Sequence, residues 1–126
     1  MRILCAENSP VSFAGISILL AVEGYTNVSM ASNFAQVKDM IARDSFDLLI
    51  TELRFEDAEL LDVVGKVIQG SPSTKILVYT HHENPTYLAR ASACNLYDFV
   101  LKKMSTAYLL RSIPRPPVAS LHPSRF

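Results

Sequence analysis

Residues 46–53, F-D-L-L-I-T-E-L, leave few architectures open to the chain that contains them. A short apolar run rich in Leu and Ile, led in by the turn-forming Arg43-Asp44-Ser45, reads as a strand buried on both faces. Such a strand needs helices over both faces, the arrangement of a parallel α/β sheet. The run ends on Glu52, and a carboxylate at the C-terminal end of a central parallel strand lies where open α/β sheets place their ligands. A solvated acid that merely ends a strand would look the same, so the functional reading rests on how the other strands end.

With 126 residues, 49% hydrophobic and 19% charged, the chain suits one domain with a core of its own. No apolar run approaches the ~18–20 residues of a membrane span. The N-terminus lacks a basic region followed by an apolar stretch and a small-residue cleavage site, so a cytoplasmic location is the default expectation. Cys5 and Cys94 belong to no CxxC or Cys/His metal spacing and are expected to act as small buried hydrophobes. The formal charges cancel, but unevenly. Residues 1–110 hold 9 basic and 12 acidic groups, whereas residues 111–126 hold Arg111, Arg115 and Arg125 and no acid. A neutral body with a weakly basic tail is no nucleic-acid footprint, and no membrane or nucleic-acid partner is expected for this chain alone.

Taken in order, Arg2 to Ala6 is a short strand ending at Glu7-Asn8. Ser9-Pro10 then starts a helix to about Val22, with Phe13, Ile16, Leu19 and Leu20 on its core face and Gly24 as its stop. Asn27 to Ala31 is a weaker strand, and Ser32-Asn33 caps a helix of about ten residues that turns Val37, Met40 and Ile41 to the core. After the central strand, a polar loop 54–57 leads to a helix from about Ala58 to Gln69, with Leu60, Leu61, Val64, Val67 and Ile68 as its stripe. Lys75 to Thr80 is the fourth strand. Asn84-Pro85 opens a helix to Cys94, where Asn95 is expected to take a left-handed closing conformation. Tyr97 to Leu101 is the fifth strand, and Ser105 caps a last helix, Thr106 to Ile113, which Pro114 ends. Residues 114–126, with four prolines in thirteen positions, read as a flexible tail or linker; residues 1–113 are the domain.

Five strands alternating with five helices through short connections give right-handed βαβ units. The expected fold is a doubly wound five-stranded parallel sheet, ordered 2-1-3-4-5, a flavodoxin-like three-layer sandwich. In that topology the ends of strands 1, 3, 4 and 5 share one rim and deliver Glu7 and Asn8, Glu52, Thr80, and Lys102. Carboxylates, a hydroxyl and an ammonium on one cleft suit an anionic ligand with its counter-cation.

These features resemble a response-regulator receiver domain of the CheY-like type over residues 1 to about 113. The opening E-N-S-P-V-S-F-A-G-I at 7–16 is similar to the D-D-H-P-x-V-x-x-G-L opening of NarL-like regulators. E-G-Y at 23–25, D-L-L-I-T-E-L at 47–53, V-Y-T at 78–80 and F-V-L-K at 99–102 follow in the family's order and spacing. The resemblance implies a two-component phosphorelay module, not an enzyme, that takes a phosphoryl group from a histidine kinase at the end of strand 3. Carried over by position, Glu52 is the acceptor site. Glu7 and Asn8 hold the acidic pair for Mg²⁺, and Arg54 supplies a carbonyl to it. Thr80 and Lys102 bind the phosphoryl group, and Phe99 is the switch aromatic. A histidine kinase or downstream effector would dock on the face of helix 4, strand 5 and helix 5, near Tyr87, Tyr97, Met104 and Tyr108. The same face could carry a homodimer.

The departures matter more than the matches. Glu52 is one methylene longer than the family's Asp, moving its carboxylate by about 1.5 Å. A misplacement of ~1 Å can cost ~10²-fold in an oriented reaction. Asn8 offers Mg²⁺ a neutral ligand where the ion relies on carboxylates. His81 replaces a small residue beside the donor's approach, and Lys103 replaces a proline. Two carboxylates facing Lys102 and Arg54 would balance without a metal, so the expectation is a pseudo-receiver with weak or lost Mg²⁺, held by Glu52–Lys102 and Glu7–Arg54 pairs. Glu52 could act as a built-in phosphate mimic reaching Thr80 and Lys102, or the domain could be locked as a docking surface. The alternatives are a competent receiver cut from a DNA-binding transcriptional regulator and, remotely, a transition-metal enzyme site at His81, His82, Glu7 and Glu52.

Overall fold

The computed structural model describes residues 1–114. Ten elements alternate: β1 (Ile3–Ala6), α1 (Pro10–Val22), β2 (Val28–Ala31), α2 (Phe34–Arg43), β3 (Leu48–Thr51), α3 (Leu60–Gly70), β4 (Lys75–Thr80), α4 (Pro85–Ser92), β5 (Asp98–Leu101) and α5 (Thr106–Ser112). All strand pairs are parallel, as helical crossovers between successive strands make them, and the sheet order is β2-β1-β3-β4-β5. This is the CheY-like flavodoxin fold. Of the proline-rich segment, only Pro114 falls within the described residues.

Alternation along each strand feeds two cores. Leu4, Leu49, Ile76 and Val78 face α2, α3 and α4, packing on Phe34, Val37, Leu60, Val64 and Ala91. Ile3, Cys5, Leu48, Ile50, Leu77 and Val100 face α1 and α5, packing on Ile16, Leu20 and Leu109. Leu48, Leu49 and Ile50 are buried on their respective faces, so the central strand is covered on both sides as its composition demands.

The helix ends follow from local chemistry. The Ser9 hydroxyl accepts the Ser12 N–H at 3.3 Å, and Pro10 sits at the first helical position of α1. At the other end Gly24 takes φ +90°, so its N–H reaches Ala21 O at 3.0 Å and the Tyr25 N–H reaches Leu20 O at 2.9 Å. This closure satisfies two orphan carbonyls and needs a residue without a Cβ penalty. At α2 the Asn33 side chain accepts the Gln36 N–H at 2.9 Å, while Gln36 Oε1 accepts the Ser32 N–H at 2.7 Å.

Two helices depart from expectation. The fourth ends at Ser92 rather than Cys94, and Asn95 does not adopt positive φ. The Ala93 and Cys94 N–H groups bond to Arg90 O at 3.1 Å and Ala91 O at 3.0 Å, tight turns that use up the last carbonyls without a left-handed residue. The third begins at Leu60 rather than Ala58, because Phe55 N–H donates to Ala58 O at 2.8 Å and closes a turn first. Cys94 is only partly buried, unlike Cys5.

A tertiary cap also ties the β3–α3 loop to α2. The Asp57 carboxylate accepts the Phe34 N–H at 3.0 Å and the Ala35 N–H at 2.9 Å, adding an anion to the positive end of the helix. These backbone bonds hold the Asp57 carboxyl below the usual carboxylate value. A depressed folded value contributes stability above the ordinary carboxylate pKa that is lost as pH falls through the folded one. Asp57→Ala should therefore lower the melting temperature at neutral pH, and the gap from the parent should close on acidification. A gap that stayed constant with pH would sink this account.

Candidate functional site

Sheet register assembles the rim. Ala6 lies beside Thr51, so Glu7 and Glu52 leave the sheet as neighbours, joined by Glu52 N–H to Ala6 O at 3.0 Å. Thr80 lies beside Leu101, and the Lys102 N–H donates to Thr80 O at 2.7 Å. Residues drawn from positions 7, 52, 80 and 102 are thus delivered to one end of the sheet by backbone pairing alone.

Lys102 lies at the centre. Its side chain is 8% exposed, and its ammonium donates to Glu7 Oε2 at 2.7 Å. Glu52 Oε1 is further off, at 3.9 Å. The other Glu52 oxygen, Oε2, turns back to its own chain and accepts the Leu53 N–H at 2.8 Å. Glu7 Oε1 accepts the Ser9 N–H at 3.2 Å, fixing the entry to α1. The ammonium also lies 5.7 Å from the Tyr79 ring centroid. Burial pushes the Tyr79 phenol up from its ordinary value, and burial with the Glu7 charge pushes the Cys5 thiol up to about 12. Cys5 is therefore an inert core group at neutral pH.

Arg54 does not pair with Glu7. Its Nε bonds Glu59 Oε1 at 3.1 Å, and the Tyr87 hydroxyl donates to the same oxygen at 2.9 Å. Lys102 approaches Glu7 from strand β5, whereas Arg54 points along the loop toward the start of α3, where Glu59 is the nearer acid. Two carboxylates against one ammonium occupy the cleft, so the expected balance of two against two does not hold. Glu59 escaped the sequence reading, since it looks like an ordinary surface residue near a helix start, and Tyr87, expected near the docking face, is instead tied to it. Arg90 and Asp62, paired at 2.5 Å, join α4 to α3 on the same side.

The side chain at position 8 takes a structural task. Asn8 Nδ2 donates to Arg54 O at 3.1 Å, the carbonyl that the family pattern would present to Mg²⁺. With that carbonyl facing an amide donor and Glu7 Oε2 facing an ammonium, these residues do not fit an octahedral cation ringed by oxygens. Thr80 is buried, and its hydroxyl accepts the His82 N–H at 3.1 Å. Phe99 is half-buried against the α2–α3–α4 core and borders a hollow of about 280 Å³ with Leu88, Ala91, Cys94 and Leu96. Among the described residues no three of His, Cys, Asp and Glu come together to hold a metal. His81 and His82 therefore do not complete a transition-metal site with Glu7 and Glu52. His82 instead lies 5.7 Å from the Tyr87 ring. Tyr97, Met104 and Tyr108 are exposed on the α4–β5–α5 side, while Tyr87 is held by Glu59. Among the described residues no helix is long and apolar enough to cross a membrane.

Known proteins share this frame. The response regulator protein PilR of Pseudomonas aeruginosa is 28% identical over 79 residues, 63% of this chain and 18% of PilR. A putative transcriptional regulator of the same organism is 24% identical over 86% of this chain and 53% of its own length, so the chain spans about half or less of these relatives. RcsB from Salmonella enterica serovar Typhimurium, solved bound to promoter rprA with phosphomimetic BeF3⁻, superposes with TM-score 0.81 at 21% identity over 89% of this chain and 65% of that one. Receiver domains of this kind serve two-component signalling. Residues 3–114 match the response regulator receiver domain, and the chain belongs to that family.

Proposed function

We propose that this receiver domain signals by docking to protein partners rather than by accepting a phosphoryl group. The observation that carries the reading is the engagement of Lys102 with Glu7 at 2.7 Å while Glu52 stands at 3.9 Å. The ammonium that would pair with a phosphoryl group is committed elsewhere. Three further contacts support the reading: Glu52 Oε2 bonds Leu53 N–H, the Asn8 amide bonds Arg54 O, and the Thr80 hydroxyl bonds His82 N–H. The same contacts speak against Glu52 as a phosphate mimic, since a mimic would draw Thr80 and Lys102 onto its own oxygens. A carboxylate also lacks the charge and the third oxygen of a phosphoryl group.

The partner, a histidine kinase or a downstream effector, would dock on α4, β5 and α5, where Tyr97, Met104 and Tyr108 stand exposed and Phe99 borders a hollow. Aromatics and Met are enriched in such interfaces. The second reading, a phosphorylatable receiver joined to a DNA-binding segment, is favoured by relatives named as transcriptional regulators and longer than this chain.

Thermal melting with Mg²⁺, and with Mg²⁺ plus beryllofluoride, separates the two. A ligand that binds only the folded state raises the melting point by mass action. The expected result is no shift from either addition. A clear rise with beryllofluoride would return the domain to ordinary phosphotransfer.

A further inference from the structure

Helix α4 is thinly packed. Only Ala91 of its eight residues is fully buried, whereas α3 buries Leu60, Leu61, Val64 and Val67. On the β5 side its residues Leu88, Ala91 and Ser92 border the hollow of about 280 Å³ rather than a filled core. Apolar contacts alone therefore leave α4 room to shift toward β5, and a short helix with few buried contacts is among the first elements to open.

Polar contacts hold it on the other side. Tyr87 and Arg90, three positions apart, share one face of α4, and Glu59 and Asp62 share one face at the start of α3. The Tyr87 hydroxyl donates to Glu59 Oε1 at 2.9 Å, and Arg90 Nη2 donates to Asp62 Oδ1 at 2.5 Å. Both bonds span 28 positions, so they stand as successive rungs between two helices that run the same way. The first rung is the stronger. It is part-buried with a charged acceptor, whereas the Arg90 and Asp62 side chains are 40% and 59% exposed. The Glu59 bond also raises the Tyr87 phenol above its ordinary value.

Glu59 has a second partner. The oxygen that accepts the Tyr87 hydroxyl also accepts Arg54 Nε at 3.1 Å, and Arg54 O accepts Asn8 Nδ2 at 3.1 Å. Arg54 joins the two ends through its own covalent frame, so a continuous chain of bonds runs from the end of β1 to α4. Thr80 and Phe99 stand outside it, one bonded to the His82 N–H and the other beside the hollow.

We propose that Arg54, Glu59 and Tyr87 form a latch through which the loop at the rim sets the position of α4, with Arg90 and Asp62 as a weaker second rung. Closed, the latch holds α4 against α3 and keeps the hollow beside Phe99 open. Released, α4 leaves α3 and its amides lose protection. Asn8 holds the loop from which Arg54 reaches out, so a change at position 8 acts on α4 without touching it. The latch does not depend on whether Glu52 accepts a phosphoryl group, and its failure leaves the reading of that position standing.

Hydrogen exchange of the full chain, read amide by amide, tests the latch. Tyr87→Phe keeps the ring and removes only the hydroxyl. It should speed exchange of the amides of residues 88–92 about tenfold, while those of β1, β3 and β4 stay at parent rates. Asp62→Asn should act in the same direction and less. Arg54→Ala should speed the same amides in the parent and add nothing to Tyr87→Phe, because both act through Glu59. Unchanged α4 exchange in Tyr87→Phe would overturn the latch. So would faster exchange spread evenly over the sheet, which would make the hydroxyl a general stabiliser. Additive effects of Arg54→Ala and Tyr87→Phe would overturn the route through Glu59.

Discussion

Replacing Lys102 with methionine should destabilise the domain by about 3–5 kcal/mol, the usual cost of removing one partner from a buried ion pair. The methylene stem is nearly conserved, so the loss is electrostatic. Glu7 and Glu52, with side chains 3% and 8% exposed, would be left in the same cleft without a cation. Denaturant unfolding at neutral pH reads the loss directly. Adding Glu7→Gln to Lys102→Met should return a large part of it, because the uncompensated charge is then removed from the 2.7 Å contact. A loss below about 1 kcal/mol in the single variant would mean that the pair behaves as an exposed one in solution. The reading of Lys102 as a committed group would then fail with it.

The second large effect is a gain. Asn8→Asp/Glu52→Asp should confer Mg²⁺-dependent beryllofluoride binding, where the parent chain is expected to show none. Shortening position 52 withdraws the carboxylate from the Leu53 N–H it now accepts at 2.8 Å, and the change at position 8 removes the amide donor from Arg54 O. Both carboxylates then face a cation that can compete for Glu7 with Lys102. With ligand at about a hundred times its Kd, mass action gives about 2.7 kcal/mol, a rise on the order of 10 °C in melting temperature for a domain of this size. If the double variant melts normally but stays silent to Mg²⁺ and beryllofluoride, positions 8 and 52 are not what closed the site. Lys102 or the Thr80–His82 contact would be the remaining block. Gain in the double variant with none in the parent is the outcome that supports docking as the present role.

How much of this was legible beforehand differs from residue to residue. Ser9-Pro10, Asn33, Asn84-Pro85 and Ser105 announce their helices because a cap is a contact between neighbours, and each is found accepting an N–H two or three residues on. Gly24 announces a stop for the same reason. Asn95 misled because i→i−3 bonds can close a helix as well as a left-handed residue can, and the sequence does not distinguish them. Asp57 gave no local signal at all, since its cap is on a helix more than twenty positions earlier.

The sequence by itself determined the fold and the membership of the rim. Buried strands, caps and short connections are local properties, and a right-handed crossover leaves only one way to place Glu7, Glu52, Thr80 and Lys102 at the same end of the sheet. Only the tertiary structure decided the pairing within that rim. Which carboxylate takes Lys102, which acid takes Arg54 and what Asn8 faces are contests between side chains of similar charge, won by differences of about 1 Å between the 2.7 Å and 3.9 Å contacts of one ammonium. Composition supplies the charges but not those distances. The outward face of α1 belongs to the same class, because an apolar helix with no charge shows which residues could be covered, and only packing shows which are left bare.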